Sequence, residues 1–203
     1  MKTVDFLRDK LHIENERLLH KVLTICEVNM VKKREYLIRQ GEKPSALYFL
    51  MNGVFRGFLV GINGKDITDC IVEQSGMPIM PSSDLKAPAP IGIEALVDST
   101  VLSISPAEFD GLLKEFPVVH TMYRDFILRS CNMHWELKII TYQYTAMQRY
   151  HWFLKNYPGL IDKISHKYIA SFLNMTPVTL SRLVNLAGKK GDEEQLDVLL
   201  PEL

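Results

Sequence analysis

Apolar residues recur with two different periods along this chain, and the change of period divides it into segments. Residues 3–29 place apolar side chains three and four positions apart, which is typical of amphipathic helices. Short β-prone runs separated by turn signals such as Asn52-Gly53 occupy residues 34–105, and they predict an antiparallel sandwich or barrel. The predicted strands cover residues 36–38, 46–51, 54–60, 67–72 and 101–104.

Prolines mark the end of this β-rich segment and the start of the helices that follow. Four prolines fall within residues 77–91, so this stretch cannot form a central strand and is predicted to be a loop or the rim of a pocket. Pro106 begins a helical region, and Pro117 separates a short helix from a longer one.

A long helix is predicted after Pro117, because no proline or glycine occurs from Val118 to Tyr157. Apolar positions in this window alternate spacings of four and three residues, and such a 3.5-residue period is typical of coiled coils. We therefore predict a dimerisation helix over residues 117–147. The predicted interface residues are Val119, Tyr123, Phe126, Ser130, Met133, Leu137, Ile140 and Tyr144. The alternative is that this seam packs against the chain's own domain.

Residues 165–185 have the pattern of a helix-turn-helix. Ser165 can cap a first helix over residues 166–173, and Asn174 tolerates the left-handed conformation in which helices often end. Thr176 can cap a second helix that has Pro177 at its first position, where a missing N–H costs nothing. Apolar contacts between the two helices would come from Ile169, Leu173, Leu180 and Leu183. The alternative is an αα-hairpin without a role in DNA binding.

Charge is distributed unevenly, although the whole chain holds 24 basic and 24 acidic residues. Residues 145–191 hold seven basic residues and one acidic residue, whereas residues 192–203 hold five acidic residues and no basic one. A basic block of this kind indicates a polyanionic partner, most commonly nucleic acid. The predicted DNA contacts are Ser165, Lys167, Thr176, Pro177, Val178, Thr179, Ser181, Arg182, Lys189 and Lys190. Among these, Arg182 is expected to read a base edge, and the lysines to contact the phosphate backbone.

Other classes of function lack their sequence motifs. The chain has no HExxH, GxSxG, P-loop or GxGxxG pattern, so we do not expect an enzyme. Its three cysteines are far apart and its six histidines are scattered, so we expect neither a metal nor a cofactor. No apolar run approaches the roughly 18 residues of a membrane span, and the first residues do not form a secretory signal. We therefore expect a cytoplasmic protein without membrane contact.

Three features of the sequence resemble transcriptional regulators of the bacterial Crp/Fnr family. Residues 40–54 are similar to the opening strands of a cyclic-nucleotide-binding jelly roll, and residues 149–182 are similar to the C-terminal part of the family. The order of β-roll, long helix and helix-turn-helix also follows this family. The resemblance implies an α+β fold with an N-terminal antiparallel β jelly roll as the effector domain, over residues 1–116. A dimerisation helix over residues 117–147 and a helical helix-turn-helix DNA-binding domain over residues 148–203 would follow, with a reduced or missing wing and an acidic tail.

Departures from the family concern the effector and the DNA contacts. Members that bind cyclic AMP hold the cyclic phosphate with an Arg-Ser pair. The corresponding positions in this sequence are Ala89 and Pro90. No arginine lies between Arg56 and Arg124, so the effector is expected not to be a cyclic nucleotide, and its identity stays open. The second helix of the helix-turn-helix begins with Pro-Val, where the family commonly offers Arg or Glu for base contacts.

We predict a homodimeric, sequence-specific DNA-binding regulator that binds a two-fold symmetric site on double-stranded DNA. Its partners would be a second copy of itself, the DNA, an unidentified small-molecule effector and, for an activator, RNA polymerase. The alternative is a ligand-sensing regulatory protein whose degenerate helix-turn-helix docks a protein partner instead of DNA. A third hypothesis, a metal enzyme on a cupin-like roll, is disfavoured because residues 34–105 contain no histidine.

Overall fold

The computed structural model describes residues 2–62 and 64–190, with side chains described as far as Leu186. The chain divides into two compact units, Met1–Ser130 and Cys131–Leu203, which are called the first and second unit below. The predicted acidic tail and the predicted loss of the wing concern residues beyond 190, and both lie outside the described part of the chain.

Two helices form most of the amphipathic N-terminal segment, α1 (Thr3–Asp9) and α2 (Glu16–Ile25). The side chain of Asn15 accepts a hydrogen bond from an amide in the first turn of α2 and so caps that helix. Between the helices, His12 has a φ of 54°, in the left-handed region that side chains other than glycine rarely adopt. The helical prediction for residues 3–29 is wrong between the two helices and at its end, where a strand begins at Glu27.

Two antiparallel four-stranded sheets follow and form a jelly roll, which confirms the predicted α+β fold class. The first sheet has the strand order β1-β8-β3-β6, and the second sheet has the order β2-β7-β4-β5. The strands are β1 (Glu27–Val31), β2 (Tyr36–Ile38), β3 (Leu47–Asn52), β4 (Phe55–Val60), β5 (Asp66–Val72), β6 (Pro78–Ile79), β7 (Gly92–Ala95) and β8 (Ser99–Ile104).

All five strands predicted from apolar runs are present, and three shorter or more polar strands are additional. Strand β6 includes Pro78, so the loop prediction for residues 77–91 is wrong for these two residues. The proline is tolerated there because β6 lies at the edge of the first sheet, where a missing N–H donor need not break the ladder. Strand β7 carries Glu94 at its centre, and this charged residue hides the strand from an apolar pattern.

Five α-helices complete the described part of the chain. Their bounds are α3 (Pro106–Glu115), α4 (Pro117–Gln143), α5 (Ala146–Asn156), α6 (His166–Phe172) and α7 (Pro177–Lys190). Helix α3 begins with Pro106 as predicted, and the Ser105 hydroxyl caps it by accepting a hydrogen bond from the Glu108 amide. Helix α4 contributes residues to both units, because the units divide within it.

Helix α4 is shorter than the dimerisation helix predicted over residues 117–147. Thr145 and Gln148 form a capping box that starts α5, with each side chain bonded to the backbone of the other residue. This local signal ends α4 at Gln143, and the predicted end at residue 147 is therefore corrected. Tyr144, the last residue of the predicted interface, lies in the connection between the two helices.

Strand β3 is buried on both of its faces and so separates the two hydrophobic layers of the first unit. Leu47 and Phe49 pack with the N-terminal helices, α3 and the start of α4. Tyr48 and Leu50 point the other way and pack between the two sheets. The alternation follows from the two-residue period of a strand, and it explains why β3 is a continuous apolar run.

A buried ion cluster holds three strands of the second sheet together. The guanidinium of Arg56 on β4, only 2% exposed, donates to Glu94 at 2.8 and 2.6 Å and to Asp66 at 2.6 Å. Burial alone would lower the pKa of Arg56, but hydrogen bonds and charges from Asp66 and Glu94 outweigh that effect and raise it. The ring of Phe58 also lies 4.4 Å from the guanidinium carbon. The guanidinium of Arg56 is therefore bound by side chains of its own sheet.

We expect Glu94→Ala to lower the free energy of unfolding by roughly 3–5 kcal/mol, because it leaves a buried guanidinium partly uncompensated. The matched control is Asp110→Ala, which removes the partner of Lys86 from an exposed ion pair and should cost no more than about 1 kcal/mol. Chemical denaturation of both variants measures the difference. Equal losses in the two variants would show that the Arg56 cluster does not stabilise the sheet.

Candidate nucleic-acid interface

Helices α6 and α7 of the second unit are the predicted pair of short helices joined by a turn. Asn174 in the turn has a φ of 50°, as predicted for the residue that ends the first helix. The hydroxyl of Thr176 accepts a hydrogen bond from the Thr179 amide at 3.1 Å, so the predicted cap of α7 is confirmed. Ser165 stands at the N-cap position of α6, but its side chain makes no capping hydrogen bond.

The two helices are held together by apolar residues that their sequence places on facing sides. Ile169, Ala170, Leu173 and Leu180 have no exposed surface. The carbonyl of Ala170 also accepts a hydrogen bond from the Met175 amide at 2.9 Å, which closes the turn. Because these contacts bury one side of α7, its opposite side is presented to solvent.

The exposed side of α7 begins at its first residue and carries most of the predicted base contacts. Pro177, Val178, Ser181 and Arg182 are exposed, and we call these four residues the α7 row. Thr179 is half-buried, and its hydroxyl lies 2.9 Å from that of Thr176, so these two predicted contacts are already hydrogen-bonded to each other.

The lysines predicted to contact phosphate lie at two places. Lys167 is exposed in the first turn of α6, with its ammonium 4.6 Å from the ring centre of Tyr168. Lys189 and Lys190 form the end of α7, whereas the sequence predicts them to follow the helix. The correction arises because Gly188 does not end the helix.

Arg149 of α5 is a structural link that sequence reasoning did not assign. Its guanidinium donates to the carbonyls of Thr141 and Tyr144 at 3.1 and 3.2 Å, and to the carbonyl of Asn174 at 3.4 Å. Burial lowers the pKa of Arg149. The side chain thus ties the free carbonyls at the end of α4 to the turn between α6 and α7. A basic residue just after a predicted helix end is the signal that points to such a contact.

The predicted dimer seam of α4 lies on the side of the helix that its own chain covers. Val119, Ile140 and Tyr144 are at most 6% exposed, and Phe126 packs its ring 5.7 Å from that of Phe49. The seam prediction is therefore corrected at Val119, Ile140 and Tyr144, because these side chains are already buried within one chain. The remaining predicted residues are half-buried, namely Tyr123, Phe126, Ser130, Met133 and Leu137.

A different face of α4 exposes large apolar side chains at seven-residue spacing. Leu128, Trp135 and Tyr142 are 54%, 56% and 77% exposed, and we call them the α4 stripe. Each stripe residue follows a seam position by two residues, which is about 200° around a helix. The stripe and the seam therefore lie on opposite sides of α4. The exposed Cys131 lies between the first two stripe residues.

The interior of the β-roll is filled by apolar side chains at the place where an effector of the resembled family would bind. A methyl group added to Gly57 would lie 2.8 Å from Ile91 and 2.6 Å from the sulfur of Cys70. Ala89, in the place of the expected arginine, is 2% exposed. Its backbone pairs with the turn at residues 41–42 through two hydrogen bonds of 2.8 Å. This part of the roll is closed by protein contacts.

Basic side chains near this segment are engaged elsewhere. Arg56 is the one buried basic residue among the described side chains, and strand alternation points it away from the interior that Phe55 and Gly57 face. The Arg39 guanidinium stacks 4.3 Å from the ring centre of Tyr36, and Lys86 pairs with an aspartate on α3. A cyclic phosphodiester would therefore find no facing cation within the described interior.

Two of the three cysteines are kept as thiols by burial, and the described residues form no metal-binding cluster. Burial raises the pKa of the Cys70 thiol to about 12, and desolvation also raises the pKa of Cys26, so neither is a thiolate near neutral pH. Across residues 2–62 and 64–190, His, Cys, Asp and Glu side chains do not gather in a group of three or more that could hold a metal ion. In the same residues, we find no helix with the length and apolar composition needed to cross a membrane.

Comparison with known proteins agrees with this architecture. Residues 28–116 match the family model of the cyclic nucleotide-binding domain. The matched residues lie within the first unit. A search of curated protein sequences gives no significant match to the chain.

Solved structures with the same fold are regulators at low sequence identity. FixK2 from Bradyrhizobium japonicum superposes with a TM-score of 0.77 at 14% identity, over 88% of this chain and 99% of its own. A protein from Eubacterium rectale assigned to the Crp/Fnr family gives a TM-score of 0.71 at 16% identity, over 91% and 94% of the two chains. The c-di-GMP-responsive global regulator CLP from Xanthomonas campestris gives 0.71 at 10% identity, over 87% and 93%. These similarities establish the shared fold.

The matched family model is named for cyclic nucleotides, and we predict that this roll does not bind them. We expect isothermal titration calorimetry of the full chain with cyclic AMP or cyclic GMP to show no binding at physiological concentrations, because a cyclic phosphate needs a cation and free N–H donors. A dissociation constant in the micromolar range for either nucleotide would show that the roll opens to admit one.

Proposed function

We propose that this chain is a homodimeric, sequence-specific DNA-binding transcriptional regulator of the Crp/Fnr type. The observation that carries the proposal is the exposed α7 row, which lies on a helix whose other side is buried against α6. The fold shared with FixK2 and CLP supports the same assignment. We propose no catalytic role, in keeping with the lack of catalytic motifs in the sequence.

The α7 row would enter the major groove with the first turns of the helix against the base edges. Arg182 is the only row residue that can form the bidentate hydrogen bonds by which arginine recognises guanine. Val178, 61% exposed, can contact only an apolar group such as the methyl of thymine. Ser181 can donate to or accept from a base edge, and Pro177 begins the helix where its missing N–H is not needed.

Phosphate contacts would position this row on the duplex. Ser165 and Lys167 are exposed at the start of α6, and a hydroxyl and an ammonium can both donate to phosphate oxygens. Lys189 and Lys190 at the end of α7 would add charge on the same unit. The seven basic residues of segment 145–191 make this segment the electrostatic footprint for a polyanion.

Dimerisation would use the α4 stripe in place of the seam predicted from the sequence. The stripe has the seven-residue repeat that two packed helices need, and it covers about 21 Å of helix. Two copies paired along it would present two α7 helices to one DNA molecule. We propose that they read a two-fold symmetric site with half-sites about one helical turn apart.

The first unit would sense a small molecule other than a cyclic nucleotide. Helix α4 contributes residues to both units, and we propose that it carries the signal from one to the other. For an activator, RNA polymerase would be a further partner.

A second function, docking of a protein partner through α7, is favoured by one observation. The first two residues of the α7 row are apolar, and Val178 is among the most exposed aliphatic side chains of the described residues. An apolar, uncharged start suits a protein groove better than a base edge that offers hydrogen bonds. The DNA-binding measurement below separates the two functions.

We expect Arg182→Ala to cost roughly 1–3 kcal/mol per half-site on a selected site and to relax preference at one symmetric base pair. Lys167→Ala should instead weaken binding to all sequences alike and reduce the salt slope by about one ion per site. Fluorescence anisotropy over a salt series, on the selected site and on random DNA, measures both effects.

Two outcomes of that measurement would change the assignment of roles. Equal losses on both DNAs for Arg182→Ala would make Arg182 a phosphate contact, and specificity would then rest on Val178, Ser181 or DNA shape. Absence of binding to either DNA by the wild-type protein would contradict the proposed function and favour protein docking.

We expect Trp135→Glu to convert the dimer into a monomer, because pairing along the α4 stripe would bury the new charge against its own copy at a cost of several kcal/mol. Val118→Glu is the matched control, since Val118 is also exposed on α4 but lies outside the stripe. Sedimentation velocity reports the mass of each variant. A monomer with Met133→Glu and a dimer with Trp135→Glu would restore the seam and refute the stripe.

A further inference from the structure

A polar cavity of about 460 Å³ lies in the first unit, outside the β-roll interior. Three segments line it: the end of α1 with the residues that follow, the turn between β5 and β6, and one side of α4. Its volume falls within the range of roughly 300–1,000 Å³ that is typical of small-molecule sites. The cavity is therefore large enough for a metabolite. It does not coincide with the interior of the roll, where the name of the matched family model would suggest a ligand.

The α4 wall of the cavity consists of Met122, Asp125, Phe126 and Arg129. These positions follow the three- and four-residue spacing of a single helix face. Leu128, the first residue of the α4 stripe, does not line the cavity. A second copy paired along the stripe would therefore contact a different part of the helix, and the cavity could fill in the dimer.

Hydrogen bonds to β3 hold the turn between β5 and β6 in place, and this turn touches the end of α1. The amide of Gly76 donates to the carbonyl of Leu50 at 2.8 Å, and the hydroxyl of Ser75 donates to the carbonyl of Met51 at 2.9 Å. A methyl group on Gly76 would lie 2.8 Å from the carbonyl oxygen of Lys10, so the turn and the end of α1 touch directly. These contacts make the cavity a preformed feature of the first unit.

His12 has an uncommon backbone conformation at the same place. It lines the cavity and has a φ of 54°, a left-handed conformation that is strained for a side chain other than glycine.

The charges that line the cavity balance and include both signs. Lys10 and Arg129 supply two cations, whereas Asp9 and Asp125 supply two carboxylates. One oxygen of Asp125 also accepts a hydrogen bond from the exposed Arg124 at 3.0 Å. A purely anionic ligand would be repelled by the carboxylates, and a purely cationic ligand by the cations. A molecule with one group of each sign satisfies both, because each of its charges can face an opposite one.

Apolar side chains complete the recognition surface. Leu11, Met77, Met122 and Phe126 line the same cavity and can contact a hydrocarbon group. The ring of Phe126 is held against Phe49, so this part of the wall is well ordered by packing.

We propose that this cavity binds a small zwitterion of the amino-acid class, with its carboxylate toward Lys10 and Arg129 and its ammonium toward Asp9 and Asp125. The ligand would act as the effector of the DNA-binding regulator, and this second statement rests on the proposed function. Binding contacts one face of α4 over two turns, so it can favour one position of this helix over another. The family's nucleotide position inside the roll is not involved.

The test begins with binding alone, measured on the full-length chain without DNA. The probes are the twenty L-amino acids, each added singly in a thermal-shift assay and followed by calorimetry of any that stabilise. We expect at least one to raise the Tm by about 5 °C or more at a hundred times its Kd. Propionate and ethylamine, which carry only one of the two charges, should give no comparable shift.

Two variants and a control locate the site. Arg129→Ala and Asp125→Asn should each weaken binding of the stabilising amino acid by about tenfold or more, because each removes a charge-assisted contact. Lys114→Ala removes an exposed cation of α3 that does not line the cavity, and it should bind as the wild type does. The site is refuted if no amino acid binds, if propionate binds equally well, or if the three variants behave alike.

The effector role has its own measurement, so its failure is distinguishable from failure of DNA binding. The stabilising amino acid should change the affinity of wild-type protein for its selected DNA site by at least about fivefold, and Arg129→Ala should abolish that change. Binding of the amino acid without any change in DNA affinity would overturn the effector role. Binding of the amino acid by a protein that binds no DNA would overturn the proposed function and leave the zwitterion site intact.

Discussion

The packing of Phe126 against Phe49, with ring centres 5.7 Å apart, fixes which side of α4 faces the first sheet. Burial of Val119 near the start of the helix and of Ile140 near its end keeps the same side covered along most of its length. The α4 stripe is a second apolar face of this helix, on the side that remains exposed. The proposed dimer and the proposed zwitterion site both depend on this orientation of α4.

In the second unit, the end of α4 is connected to the turn before α7 through Arg149. The two terminal nitrogens of Arg149 donate to carbonyls at the end of α4 and in the turn before α7. Movement of the end of α4 would break or shift these hydrogen bonds. Helices α6 and α7 pack closely against each other, because Ala170, Leu173 and Leu180 are completely buried. A regulator built in this way would move α7 as a body, without reshaping it.

Elements that depend on neighbouring residues, such as strands, helix caps and turns, could be predicted from the sequence. The apolar runs indicated five strands, the prolines and caps at Pro106 and Thr176 indicated two helix starts, and Asn174 indicated the turn between α6 and α7. The orientation of α4 could not be predicted, because a 3.5-residue apolar period is equally consistent with burial by its own chain or by a partner. The capping box at Thr145 is a local signal that starts a new helix inside the apolar seam. Strand β7 and the cavity arise from contacts between distant segments, which no local pattern encodes.

Whether this chain reads DNA as a dimer is tested most directly by selecting binding sites from a random double-stranded DNA library with the purified full-length protein. We expect enrichment of a two-fold symmetric sequence whose half-sites are about 10 base pairs apart, with a fixed G·C pair in each half for Arg182. Failure to enrich any sequence, or enrichment of a single asymmetric half-site by a monomer, would contradict the proposed function.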